Sequence, residues 1–160
     1  SGDAEVGNSS FKMTGGSLTS KSGDMFYVTN TDCTIDLGNV DLKLADNTNL
    51  LVVAGNDASR GWGKAGSNGG VCTFTTSDQA LSGDIKVDSI SKLNMNISDS
   101  SNFTGSINSD GTEASALSVT LDASSTWTLT SDSYITEFNG SLSNVNFYGY
   151  TLYVNGTAVN

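Results

Sequence analysis

The sequence predicts an all-β chain whose strands stack into a solenoid. Three observations predict it. Apolar and polar residues alternate over short runs, as at Leu117, Val119 and Leu121, at Trp127 and Leu129, at Val145 and Phe147, and at Leu152 and Val154. A period of two buries one face of a strand and leaves the other in water. Between the runs lie Asp-Ala-Ser-Ser, Thr-Ser-Asp-Ser, Asn-Gly-Ser and Tyr-Gly, which are turn residues. There is no proline at all, which suits a chain made mostly of hydrogen-bonded ladders. No window keeps apolar residues at helical spacing for three turns.

Taken in order from Phe11, the runs lie under one another. Met25-Phe-Tyr-Val, Leu50-Leu-Val-Val, Lys92-Leu-Asn-Met, Ala116-Leu-Ser-Val and Ser141-Leu-Ser-Asn open successive units. Cys33-Thr-Ile-Asp-Leu, Phe103-Thr-Gly-Ser-Ile, Trp127-Thr-Leu-Thr and Leu152-Tyr-Val follow within them. In the Leu50 unit the second run, Cys72-Thr-Phe-Thr-Thr, is delayed, and removing the Gly-rich segment 55–70 realigns it. Two columns then stack: Phe26, Leu51, Leu93, Leu117, Leu142, and Cys33, Cys72, Phe103, Trp127, Leu152. The unit of about 20 to 25 residues fits a solenoid coil. Such a coil cannot bury its own apolar face, but stacked coils share one core. An antiparallel sandwich is the alternative; against it, strand pairs joined by two-residue turns are few. By parity the inward positions are Val28, Ile35, Leu37, Leu51, Val53, Phe74, Leu93, Met95, Ile97, Phe103, Leu117, Val119, Leu121, Trp127 and Leu129.

The runs Asn68-Gly-Gly-Val-Cys-Thr-Phe-Thr, Gln79-Ala-Leu-Ser-Gly-Asp-Ile-Lys-Val-Asp, Ser91-Lys-Leu-Asn-Met-Asn-Ile, Ser101-Asn-Phe-Thr-Gly-Ser-Ile and Ser125-Thr-Trp-Thr-Leu-Thr-Ser-Asp-Ser-Tyr-Ile-Thr resemble a known family. It is that of the right-handed parallel β-helix domains of adhesin-like bacterial surface proteins and autotransporter passengers. The resemblance spans roughly Phe11 to Val154. It implies a pectate-lyase-like right-handed parallel β-helix of about five to six coils, and a cell-surface stalk or glycan-contacting domain. The family has no common catalytic motif, so no site residue carries over.

Composition bounds the function. The 160 residues suit one domain, expected to be a single β-helix over 1–160 cut from a longer surface protein. The net charge of −10 argues against nucleic acid and anionic membranes, and no run is long and apolar enough for a membrane-spanning helix. The acids suit a solvated surface or divalent cations. An acidic, Ser/Thr/Asn-rich chain with little lysine suits an extracellular monomer at a cell surface. Its partner would be a host or cell-surface glycan or protein.

The absence of histidine removes Ser-His-Asp and Cys-His catalysis and His-ligated metals. Gly61-Trp-Gly-Lys-Ala-Gly66 matches a dinucleotide fingerprint in letters only, because no helix follows it. Cys33 and Cys72 fall one coil apart once 55–70 is excluded. In adjacent coils their Cα atoms would lie near 5 Å, which permits a disulfide or a stacked pair of buried thiols. The insertion 55–70 departs from the repeat and carries Arg60, Trp62 and Lys64, an aromatic and two cations able to hold a sugar. The alternative for Trp62 is a loop residue folded back onto the solenoid side.

Three functions follow as expectations. One is a non-catalytic structural or adhesive segment. The second is a carbohydrate-binding module using loop 55–70 and the tyrosines 148, 150 and 153. The third is a fragment of a polysaccharide-lyase-like enzyme. Calcium is a candidate ligand, because Asp32, Asp36, Asp41 and Asp46, then Asp78, Asp84 and Asp88, would stack as like charges in a parallel solenoid.

Overall fold

A computed structural model describes residues 7–57 and 63–160, and it is all-β. The chain passes three strand stacks in turn. The first pass is β1 (Gly7–Thr14), β2 (Ser17–Thr19) and β3 (Phe26–Val28). The second is β4 (Thr31–Gly38), β5 (Asp41–Lys43) and β6 (Leu51–Val53). The third is β7 (Val71–Ser77), β8 (Ala80–Ser82) and β9 (Ile85–Val87). Then come β10 (Lys92–Ser98) and β11 (Asn102–Thr104), followed by β12 (Ala116–Leu121), β13 (Thr126–Thr128) and β14 (Ser133–Ile135). The last pass is β15 (Glu137–Asn139), β16 (Val145–Asn146) and β17 (Leu152–Val154), closed by β18 (Thr157–Ala158).

The longest strands form a six-stranded parallel sheet in the order β1-β4-β7-β10-β12-β15. The second stack holds β2-β5 and, separately, β8-β11-β13-β16. The third holds β3-β6-β9 and β14-β17, with Ile85 bridging to Ile107 between them. Among the described residues all strand pairs are parallel except β17 with β18.

Strand alternation sets the core, since successive Cβ atoms leave a strand on opposite sides. In β4, Cys33, Ile35 and Leu37 are buried while Asp32 and Thr34 are exposed. Their in-register neighbours Cys72, Phe74 and Thr76, then Leu93, Met95 and Ile97, then Leu117, Val119 and Leu121 are buried too. Phe103 stacks on Trp127 at 5.8 Å and 18°. All fifteen predicted inward positions are buried in one continuous core.

Corners need residues that tolerate a left-handed backbone. Asn39, Asp78 and Asp99 each follow a long strand with φ near +50°, and they hydrogen-bond in series: Asn39 N–H to the Asp78 carbonyl at 3.1 Å, Asp78 N–H to the Asp99 carbonyl at 2.8 Å. Just inside that corner, backbone donors that lack a ladder partner find side chains. The buried Gln79 accepts from Val40 N–H at 2.8 Å and donates to the Val40 carbonyl at 2.7 Å. Ser101 Oγ accepts from Gln79 N–H, and Ser125 Oγ accepts from Ser101 N–H, each at 3.1 Å.

The predicted columns are right in pairs and wrong where the pairs are joined. Phe26 faces Leu51, Cys33 faces Cys72, Leu93 faces Leu117, and Phe103 faces Trp127. But Leu51 continues to Ile85, not Leu93, and Cys72 continues to Leu93, not Phe103. Leu152 faces Ser133, and Leu142 sits half-exposed in a 3-10 turn, Leu142–Asn144. The cause is the third stack, whose three-residue strands hold only one or two inward side chains and show little periodicity.

Candidate functional site

The insertion leaves the fold between β6 and β7, on the third stack. The corresponding links before β4 and β10 are short, residues 29–30 and 88–91. The neck of the loop is closed by the units on either side. Asp88 Oδ2 accepts from Gly55 N–H at 2.8 Å, and Ser91 Oγ accepts from Gly70 N–H at 3.1 Å. Asn56 N–H donates to the Ser67 carbonyl at 2.7 Å. Close packing makes Gly70 a glycine site, because a Cβ there would lie 2.8 Å from the Val28 carbonyl oxygen. Of the three predicted ligand residues, Lys64 is exposed, and its carbonyl accepts from Ser67 N–H at 3.1 Å. Arg60 and Trp62 lie outside the described residues.

Beside this neck the outer face of β3-β6-β9 stacks Tyr27, Val52 and Lys86 in one row. The row floors a depression of about 350 Å³ whose rim carries Asp57, Asp88 and Asp110. Hydrogen bonds from the Thr112 N–H and hydroxyl, with the Lys86 ammonium nearby, hold the Asp110 carboxyl below the usual carboxylate range. An aromatic ring, a lysine and carboxylates around one concavity can orient a polyhydroxylated ligand. Sequence reading places the cations and the aromatic of this region on the loop alone. Tyr27 and Lys86 belong to β3 and β9, strands of the first and third passes, and only the stacking unites them.

Cys33 and Cys72 are in-register neighbours on β4 and β7, both buried, and both thiols are free. Burial, with Cys33 and Asp32 beside it, pushes the Cys72 thiol up to about 12. A thiol that holds its proton so firmly is a poor nucleophile and metal ligand.

The expected stack of like charges does not form along the strands. Asp36 lies between Lys12 and Thr75, and Asp32 between Asn8 and Val71. Lys12 approaches Asp36 at 4.0 Å, and Lys43 approaches Asp41 at 3.6 Å. Other acids accept backbone N–H groups of a neighbouring unit: Asp24 from Asn49 and Asp122 from Asp99 at 2.8 Å, Asp132 from Thr151 at 2.9 Å, and Asp84 from Ser106 at 3.2 Å. Among the described residues no three acidic or thiol side chains converge as a metal-ligating group. Along the strands the register thus sets these acids beside cations, polar residues or amides, while at the corner Asp78 and Asp99 do follow one another.

Tyr134 and Tyr153, outward on β14 and β17, stack at 4.5 Å and 3°, a pair absent from the predicted columns. Tyr134 borders a cleft of about 170 Å³ that also includes Glu113 and Asn155. Gly111 lies near the Tyr134 ring, where a Cβ would make ordinary contact at 3.9 Å with Cζ.

No family model matches the chain, and no curated protein or solved structure matches it. No helix among the described residues is long and apolar enough to cross a membrane.

Proposed function

We propose that the chain is a non-catalytic structural or adhesive segment of a bacterial cell-surface protein, wound as a right-handed parallel β-helix of six coils. The six-stranded parallel sheet, revisited on each pass through the stacks, carries this reading. Right-handedness follows from the general rule that parallel crossovers in one sheet are right-handed in about 98% of cases. Six coils at about 4.8 Å give a rod of only ~25 to 30 Å. Among the described residues β1 has a strand partner on one side only, and Phe11, at the open end of its column, is 37% exposed. Such an edge is suited to pairing with a further coil. Electron microscopy of the full-length surface protein should then show a continuous rod, with the alternating repeat carried on in the flanking sequence. Flanks of unrelated globular type would refute the reading.

A second reading, an extracellular carbohydrate-binding module, is favoured by the Tyr27–Lys86 depression beside loop 55–70. A glycan array with the wild type, Trp62→Ala and Tyr27→Ala tests it. Binding that ignores both substitutions rules out this face, and an array without any signal rules out the module.

A further inference from the structure

A separate surface lies on the second stack. Tyr150 N–H donates to the Phe147 carbonyl at 2.9 Å, closing the turn Phe147-Tyr148-Gly149-Tyr150. Its two central residues have φ of +55° and +88°. Two positive φ values in succession favour Asn-Gly, since a bulky side chain is strained there. The chain obeys that preference elsewhere: Asn155-Gly156 makes the same pair of angles, +50° and +80°. Among the described residues the other non-glycine positions with positive φ are Asn, Asp or Ser; Tyr148 alone is large. Burial does not offset the strain, for Tyr148 is 76% exposed. An aromatic ring held in water on a strained turn points to a role outside the fold.

What surrounds the ring says which ligand it suits. Tyr148 and Tyr150 flank a shallow depression of about 410 Å³ over Thr104, Thr128, Leu129 and Thr130. Thr104 and Thr128 are in-register neighbours on β11 and β13, about 4.8 Å apart. The lining has no charged side chain. Phenol rings offer faces to the C–H side of a sugar, and the threonines offer hydroxyls that donate and accept to its ring hydroxyls. Uncharged walls in a chain of net charge −10 disfavour an anionic polymer.

We infer that Tyr148 and Tyr150, over the Thr104–Thr128 pair, form a binding subsite for a neutral pyranose of a polysaccharide. The inference rests on the carbohydrate-binding reading but names a different face. The test measures binding of the whole chain to neutral and to uronic-acid-containing oligosaccharides by calorimetry, for the wild type, Tyr148→Asn, Tyr150→Ala and Trp62→Ala. Tyr148→Asn keeps the turn, so its thermal midpoint should hold or rise while affinity for neutral sugars falls tenfold or more. Tyr150→Ala should weaken the same ligands, and Trp62→Ala should leave this binding in place. Loss of neutral-sugar binding on Trp62→Ala, with Tyr148→Asn unchanged, would keep the carbohydrate reading and overturn this subsite. Preference for the acidic sugars, or a lower midpoint for Tyr148→Asn, would also overturn it. Absence of binding to any glycan would end both readings.

Discussion

Replacing Trp127 by alanine removes the largest fully buried side chain of the core. Three separate terms are lost. The indole leaves a cavity where it filled the row between Phe103 and Val145. Its ring no longer stacks on Phe103 at 5.8 Å. Its Nε1–H no longer donates to the Gly105 carbonyl at 3.0 Å, which leaves a buried acceptor unpaired. That carbonyl cannot turn away easily, because Gly105 is packed against Gly83. Aromatic-to-alanine changes in cores cost about 3 to 5 kcal/mol, and the unpaired carbonyl places this one near the top of the range, since such a loss adds about 1 kcal/mol or more. Urea unfolding followed by far-ultraviolet circular dichroism should therefore lose roughly 4 to 5 kcal/mol, a large share of the 5 to 15 kcal/mol typical of a domain. The thermal midpoint should fall by roughly 8 to 20 °C. Trp127→Phe isolates the hydrogen bond and the smaller volume change, and should cost about 1 to 2 kcal/mol. A loss below about 1 kcal/mol for Trp127→Ala would mean that the residue faces water, and the register of the whole second stack would be wrong.

Cys72 is held neutral up to about 12, whereas an unfolded thiol ionises near 9.0. The folded state then keeps its proton where the unfolded state releases it, so this contribution to stability is present below pH 9 and is lost as pH rises toward 12. A Cys72→Ala variant should show a flatter loss of stability over that alkaline window, and a thiol reagent at pH 8 should label both cysteines only after unfolding. Asp122 behaves oppositely. Hydrogen bonds from the Asp99 N–H and from the Ser125 and Ser124 hydroxyls hold its carboxyl down to about 2, so its contribution is present above pH 4 and is lost as pH falls through 2; Asp122→Asn should flatten an acid titration of stability there. Gly70→Ala places a Cβ against the Val28 carbonyl and Val53 Cγ1 and should destabilise by about 1 to 3 kcal/mol in urea; a neutral result would mean that the neck of the loop yields. Millimolar calcium should leave the thermal midpoint in place, and a rise with calcium concentration would reveal a site through linkage.

Side-chain orientation is legible in the sequence because it is local. Alternation along one strand decides which way Ile35, Leu37, Met95 or Val119 points, and no other strand needs to be known. The same parity puts Cys33 and Cys72 in one buried row, once the irregular segment 55–70 is set aside. The corner residues Asn39, Asp78 and Asp99 are types that accept a left-handed backbone, but the structure shows that they turn corners.

Strand neighbours are legible only in pairs such as Phe26 with Leu51 and Cys33 with Cys72; how the pairs join, and the sites that depend on it, are not. The chain returns to the six-stranded sheet after unequal lengths: Gly7 pairs with Thr31, Cys33 with the much more distant Cys72, and Ser118 with the nearer Glu137. Unequal corners make the repeat length vary, so counting along the chain assigns Leu51 to the wrong partner. It also stacks acids on acids, where Asp36 in fact sits between Lys12 and Thr75. Tyr27 and Lys86 share one row across Val52, and Tyr148 and Thr104 line one depression, for the same reason. Which face of each strand is buried can be read from the chain alone, because it is a property of residues adjacent in sequence. Which outward side chains share a surface is fixed only by the folded stack, because it depends on how far each corner carries the chain before it returns.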